Sequence, residues 1–210
     1  MKGDPGAIRP HTVFGKTAVV KSAPMLVIAG MYFLISIAFT YPLILNFDSG
    51  IYGYPGDSTS ALWGIWADGE WRLGGRSISD LVGAPFGVDT SNWVFTPYAF
   101  VVAALSRLRN EIFAYNFLTF ASFPLSALAA YALAYKITRR HGASFVAGLI
   151  YSFGPYHQWH ARQHFLYDPQ WMPLFLLALW RFEERPSWRR ALLAAGAYSV
   201  VAIVNAYYGY

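Results

Sequence analysis

The sequence predicts an all-α membrane protein: a polytopic bundle of transmembrane helices with a long outer loop after the first span. Of its 210 residues, 56% are hydrophobic and only 13% are charged, whereas a soluble domain carries about 25% charged residues. Long uncharged runs recur along the chain, and basic residues gather beside them, as on the cytoplasmic flanks of membrane helices. We therefore assign the chain to the cell membrane as a multi-pass protein.

Five apolar runs are candidate spans. The first has no charge, and at 1.5 Å per residue it covers roughly 34 Å, enough for a hydrocarbon core of about 30 Å. A cleavable signal peptide is the alternative, but its apolar region covers only about 7–15 residues and ends in a small-residue cleavage site. The third and fourth runs are short, so one or both are expected to be broken or to dip only partway. The predicted spans are residues 23–45, 112–135, 143–156, 170–182 and 191–210.

Charge placement predicts the orientation of these spans. Residues 1–22 are basic and are expected to form a cytoplasmic N-terminus, which places the acidic, aromatic loop 46–111 outside. Within that loop, residues 94–106 are uncharged but too few to cross a bilayer, so we expect an interfacial or re-entrant helix. The net charge of +5 then reflects membrane topology, and no nucleic-acid partner is expected. The chain ends with its fifth span, and a longer parent protein is expected.

Asp57 opens the most polar part of the outer loop. Pro55 and Gly56 precede it and a Trp-rich run that favours a helix follows, so Asp57 is predicted as a helix N-cap. Asp57 and Asp68 share a helix face but lie roughly 16 Å apart along its axis. They cannot act as a paired-carboxylate site unless the helix breaks at Gly64. A cap with no further role remains the alternative for Asp57.

A second polar segment follows the third span. His157, His160 and His164 are spaced for one face of a helix, and Asp168 continues that face. Three interpretations stay open. The histidines and Asp168 could hold a metal ion, although three ligands on one straight helix rarely converge. With Arg162 they could bind a phosphate near the membrane surface. They could also form an interfacial belt without a ligand.

Four further segments carry a resemblance. They are Pro55-Gly-Asp-Ser58, Gly148-Leu-Ile-Tyr-Ser-Phe-Gly-Pro-Tyr156, Gln170-Trp-Met-Pro-Leu174 and Asn205-Ala-Tyr-Tyr-Gly209. In this order, after a basic-flanked first span, they resemble the amino-terminal part of the large prokaryotic integral-membrane glycosyltransferases of the GT-C type. The resemblance covers nearly the whole chain from about Ala23 onward.

The resemblance implies a GT-C-like bundle that transfers a sugar from a polyprenyl-phosphate donor to an acceptor on the outer face. It implies that Asp57 is the catalytic base, with Asp68 as the second choice. It implies that His157, His160 and Arg162 bind the donor phosphate. The expected partners are the carrier-linked sugar and membrane lipids. A divalent cation is the one cofactor that the family suggests, but no second acid adjoins Asp57, and no metal ligands are assigned.

The alternative function is that of a non-catalytic membrane transporter or lipid-handling scaffold. Transporters place ionisable groups or broken helices near mid-bilayer. Here the main spans are uncharged and the polar groups gather in the outer segments, which favours chemistry at the membrane surface. Pro124 in the second span is a candidate helix break and favours the transporter.

Overall fold

The structure is a computed structural model that describes residues 22–67, 78–79, 83–89, 99–161 and 168–204. Within those residues the chain forms eight α-helices, a short 3₁₀ helix (Leu43–Leu45) and one antiparallel pair of two-residue strands, β1 (Ile78–Ser79) and β2 (Val88–Asp89). The predicted all-α class is confirmed, and the small strand pair is an unpredicted addition. The helices are α1 (Ser22–Phe39), α2 (Asp57–Ala67), α3 (Ala99–Leu108), α4 (Glu111–Thr138), α5 (His141–Phe153), α6 (Pro155–His160), α7 (Trp171–Glu184) and α8 (Trp188–Val204).

Helix α4 is the central element, and α1, α2, α3, α5 and α7 all pack against it. It begins where the Asn110 side chain accepts a hydrogen bond from the Phe113 N–H at 2.8 Å, which satisfies one of the unpaired donors of the first turn. It ends at Arg139, whose backbone is left-handed with φ 56°. Pro124 lies inside α4, yet the helix continues on both sides of it. The candidate break at Pro124 is therefore absent.

Tyr32 of α1 joins α4 to α5. Its side chain is fully buried, it stacks on Phe145 with ring centroids 4.8 Å apart, and its hydroxyl donates to the Phe145 carbonyl at 2.9 Å. The close approach depends on Gly148 of α5. A Cβ there would overlap the Tyr32 hydroxyl and would lie 2.6 Å from the Ala127 carbonyl oxygen. Gly148 therefore lets three helices meet.

Helix α4 is the one helix of the described residues that is long and apolar enough to cross a membrane. The apolar part of α1, Pro24–Phe39, is shorter. Helix α7 has 14 residues and rises only about 21 Å, less than a hydrocarbon core of about 30 Å. The multi-pass arrangement and its orientation remain predictions.

The helix boundaries refine the predicted spans. Helix α1 ends at Phe39, before the predicted limit at Leu45, since Pro42 has no N–H for a continuing helix. The third predicted span is broken at Gly154, where α5 gives way to α6. The last span is helical to Val204, and residues 205–210 lie outside the described residues.

The predicted interfacial segment 94–106 overlaps α3. That helix has 10 residues and packs against α4 and α2, and residues 94–98 lie outside the described range. At the far end of α4, Lys136 pairs with Glu184 of α7 at 2.5 Å. This ion pair joins the C-terminal ends of α4 and α7.

Candidate functional site

Asn116 of α4 holds the first loop, which is the beginning of the predicted outer loop 46–111, in place. Its side chain is fully buried. Its Nδ2 donates to the carbonyls of Phe47 at 2.9 Å and Gly50 at 2.6 Å, while its Oδ1 accepts from the Tyr52 N–H at 3.1 Å. Both amide hydrogens are thereby used, and one orientation of the amide satisfies all three bonds. The loop is therefore anchored to α4 by its backbone.

Two further contacts support this anchor. Tyr115 donates its hydroxyl to the Tyr52 carbonyl at 2.9 Å, so both backbone polar groups of Tyr52 are bound by α4. Burial is the main cause that raises the pKa of the Tyr52 phenol, and Tyr115 adds to it. Nearer the start of the loop, Arg109 pairs with Asp48 at 2.5 Å.

Asp57 lies in the first turn of α2 and is exposed. The Ser60 N–H donates to the Gly56 carbonyl at 2.9 Å, so Gly56 takes the cap position that was predicted for Asp57. The Thr59 hydroxyl also donates to the Gly56 carbonyl, at 2.7 Å. At this position Asp57 lies at the positive end of the helix dipole. The second-choice residue, Asp68, lies outside the described residues.

His157 is a core residue, and its position does not support the predicted role in binding the donor phosphate, which stays a prediction. Its side chain is 1% exposed and stacks on Phe123 at 4.4 Å. Its Nδ1 lies 2.8 Å from the Ser152 carbonyl and therefore carries a hydrogen, while its Nε2 lies 2.9 Å from the Ser122 hydroxyl. Both ring nitrogens bind within the chain in this arrangement, which disfavours a contact with a phosphate.

His160 differs from His157 in its surroundings. It is half-buried, its ring lies 4.2 Å from that of Tyr156, and its Nδ1 donates to the Tyr156 carbonyl at 2.7 Å. This bond leaves Nε2 as the ring nitrogen that can meet a ligand. The other predicted phosphate residue, Arg162, lies outside the described residues.

The predicted continuous face from His157 to Asp168 does not form as one helix. Helix α6 ends at His160, and Asp168 lies in a non-helical position before Pro169, where a following proline disfavours the helical backbone. His164 lies outside the described residues. No group of three or more potential metal-ligating side chains occurs in the part of the chain that the structure describes.

The first loop and α6 meet at a cavity of about 560 Å³, here called the first-loop cleft. Its walls are Tyr52, Gly53 and Tyr54 on one side and Pro155, Gln158 and Trp159 on the other. These are the two segments in which the sequence concentrates polar and aromatic groups. Asp57 and His160 are not among the lining residues, but in the sequence Asp57 comes three residues after Tyr54 and His160 directly after Trp159.

Aromatic and amide groups line this cleft. Tyr54 is 71% exposed and Trp159 is 63% exposed, so both offer ring faces to a ligand. The apolar faces of sugar rings pack on aromatic side chains, and the Gln158 amide can both donate and accept hydrogen bonds. Gln158 and Trp159 were not among the site residues predicted from the sequence. Their position directly between His157 and His160 was the available signal.

A second cavity, of about 440 Å³, lies between α3, α4 and the start of α7 and is called the α4–α7 cavity. The described residues of its wall are mostly apolar, with polar groups on Ser122, Asp168, Gln170 and the indole of Trp171. The sequence pattern indicated Asp168 only as a continuation of the predicted histidine face. Its burial follows from the packing of α7 on α4, which no local pattern reveals.

Comparison with known proteins adds no assignment: no protein-family model matches the chain, and no curated protein or solved structure matches it.

Proposed function

We propose that the chain is an integral-membrane glycosyltransferase-like protein of the GT-C type. It transfers a sugar from a polyprenyl-phosphate donor to an acceptor on the outer face of the membrane. Helices α1, α4, α5, α7 and α8 correspond to the predicted spans in this proposal, with the N-terminus in the cytoplasm. The observation that carries the proposal is the first-loop cleft, where Tyr52 and Tyr54 face Gln158 and Trp159.

The roles of the residues follow from their positions around the cleft. Tyr54 and Trp159 receive the sugar ring, and Gln158 binds its hydroxyl groups. Asp57, an exposed carboxylate at the start of α2, is the general base for the acceptor hydroxyl. The Nε2 of His160, together with Arg162, binds the donor phosphate, which is the leaving group.

The test is Asp57→Asn in membranes that contain the full chain, with consumption of labelled polyprenyl-phosphate sugar as the measurement. A general base contributes about 10²–10⁴-fold to the rate, so turnover should fall by that factor. Glu183→Gln is the matched control, since it removes an exposed carboxylate from the far end of α7. Equal turnover in wild type and Asp57→Asn would remove Asp57 from the mechanism.

The second candidate is a lipid-handling scaffold or transporter, and the α4–α7 cavity favours it. Buried ionisable groups in membrane proteins mark ligand and ion pathways, and Asp168 is such a group. If wild-type membranes turn over no donor across a broad panel of sugars while the protein remains folded, this candidate replaces the transferase.

A further inference from the structure

The α4–α7 cavity has an apolar wall that is open at its rim. Val101 of α3 and Phe117 and Leu125 of α4 line it, and their side chains are 46%, 41% and 49% exposed. Leu174 of α7 also lines it. At about 440 Å³ the cavity falls within the range of small-ligand sites, about 300–1,000 Å³. Its volume and mostly apolar wall suit one alkyl chain rather than a two-chain lipid.

Among the described residues that line the cavity, Asp168 carries the one carboxyl group. Asp168 is 7% exposed, and among the described residues Gln170 is its one hydrogen-bond partner, with the amide Nε2 donating to Oδ1 at 2.6 Å. The Gln170 amide is itself oriented, because its Oε1 accepts from the Ser126 hydroxyl at 3.2 Å. Only one carboxyl oxygen of Asp168 is thus bound within the described chain.

Asp168 has no cationic partner in the part of the chain that the structure describes. Of the described residues that line the cavity from α3, α4 and α7, it is the one titratable group. Two titratable rings lie close to this side among the described residues: His157 is behind Ser122 and binds it at 2.9 Å, and the Tyr151 hydroxyl donates to the Pro169 carbonyl at 2.7 Å. Burial raises the pKa of the Asp168 carboxyl to about 7, while the Gln170 bond opposes this rise.

We propose that the α4–α7 cavity binds a single-chain lipophilic amine, with its ammonium group on Asp168 and its alkyl chain along the apolar wall. An ammonium supplies both a counter-charge, which the described residues do not provide, and N–H donors for the second carboxyl oxygen. A phosphate or carboxylate head group is repelled by Asp168, so the proposed donor phosphate does not belong here. An aminophospholipid is excluded for the same reason, because its phosphate adjoins its amine.

This inference does not depend on the proposed transferase activity, and its test measures binding alone. The purified full chain in an uncharged maltoside detergent is titrated at pH 8 with decylamine, decanol or decanoate, and the shift in thermal unfolding is followed. Decylamine should give a saturable upward shift, with an apparent Kd at least about tenfold lower than that of decanol, as expected for a charge-assisted hydrogen bond. Decanoate should give no saturable shift.

Three variants test the assignment to Asp168. Asp168→Asn keeps an acceptor for Gln170 but removes the charge, so decylamine should bind no better than decanol. Ala121→Leu fills the cavity from the α4 wall and should weaken both ligands by about tenfold or more while leaving Asp168 intact. Glu183→Gln removes an exposed carboxylate elsewhere and should leave decylamine binding unchanged.

Several outcomes overturn the proposal. Equal decylamine affinity in wild type and Asp168→Asn would exclude Asp168 as the ammonium partner. Decanoate binding as tight as decylamine would exclude charge selection. A decylamine shift that persists in Ala121→Leu would place the ligand outside this cavity. If Asp168→Asn fails to fold, Ala121→Leu and the comparison of the three ligands on wild type still decide the question.

Discussion

The Oδ1 of Asn116 accepts a hydrogen bond from the Tyr52 N–H at 3.1 Å, and the same amide donates to the carbonyls of Phe47 and Gly50. One buried side chain in the middle of the molecule therefore sets the path of the loop that forms one wall of the first-loop cleft. The cleft depends on α4 even though no residue of α4 lines it.

Asn116→Ala should destabilise the protein and release the first loop. It leaves an N–H and two carbonyls without their side-chain partner, and each buried unsatisfied group costs about 1–3 kcal/mol. We expect a loss of about 3 kcal/mol in the free energy of unfolding, measured by denaturant titration in detergent, and faster proteolysis within residues 47–58. Asn46→Ala is the control, because Asn46 is exposed and donates only to the Pro42 carbonyl at 3.4 Å. Equal losses in both variants would contradict the anchoring role.

Gly148→Ala should destabilise the contact between α1, α4 and α5. The new methyl group overlaps the Tyr32 hydroxyl, and overpacking of this kind costs about 1–3 kcal/mol. Gly142→Ala in the same helix meets nothing within 4 Å, so it should be neutral or stabilising by up to about 1 kcal/mol. Thermal unfolding of the two variants gives the comparison. Tyr32→Phe should recover part of the loss in the Gly148→Ala background, and no recovery would show that the clash with Ala127 dominates.

Substitutions of His157 and His160 should have different effects, the first on stability and the second on donor binding. His157→Ala removes a buried ring with two hydrogen-bonded nitrogens and should cost about 2–4 kcal/mol of stability. His160→Ala should leave the unfolding temperature nearly unchanged but raise the KM for the polyprenyl-phosphate donor. Unfolding curves and donor kinetics on both variants check this. A stable His157→Ala protein with a raised donor KM would restore His157 to the binding site.

Because of Asp168, the free energy of unfolding should fall as the pH rises from about 4 to about 7. Its pKa is raised by burial from 3.8 in the unfolded chain to about 7 in the folded protein, so the folded state holds the proton more tightly within that window. The stabilisation is fully present below pH 3.8 and is lost once the pH rises above about 7. Between these two values the free energy of unfolding falls by no more than about 1.4 kcal/mol per pH unit. Subtracting the Asp168→Asn stability curve from the wild-type curve should isolate this slope. A flat difference would contradict it.

Helix positions were largely predictable because they follow from the local pattern of apolar runs. The second predicted span, 112–135, agrees with α4, whose start is set by the Asn110 cap. The end of α1 was predicted too late, since the apolar run continues past Pro42 while the helix does not. Helix limits depend on backbone hydrogen bonding as well as on hydrophobicity. A proline interrupts the hydrogen bonding but leaves the apolar run intact.

The candidate site was only partly predictable. Sequence composition indicated that the first loop and the segment around His157 carry the polar and aromatic groups, and these two segments do form the first-loop cleft. It could not distinguish His157 from His160, because both are histidines on one short helix and their difference is burial. Burial depends on which neighbour each side chain meets, here Ser122 and Phe123 of α4.

By itself the sequence determined the helical class, the long apolar α4 and the concentration of polar groups in two segments. Each of these follows from residue type and spacing along the chain. Only the tertiary structure decided that Asn116 anchors the first loop, that His157 belongs to the core and that Asp168 faces an apolar cavity. These three side chains meet partners far away in the chain or in a cavity shared by several helices, and such contacts arise only when the helices pack.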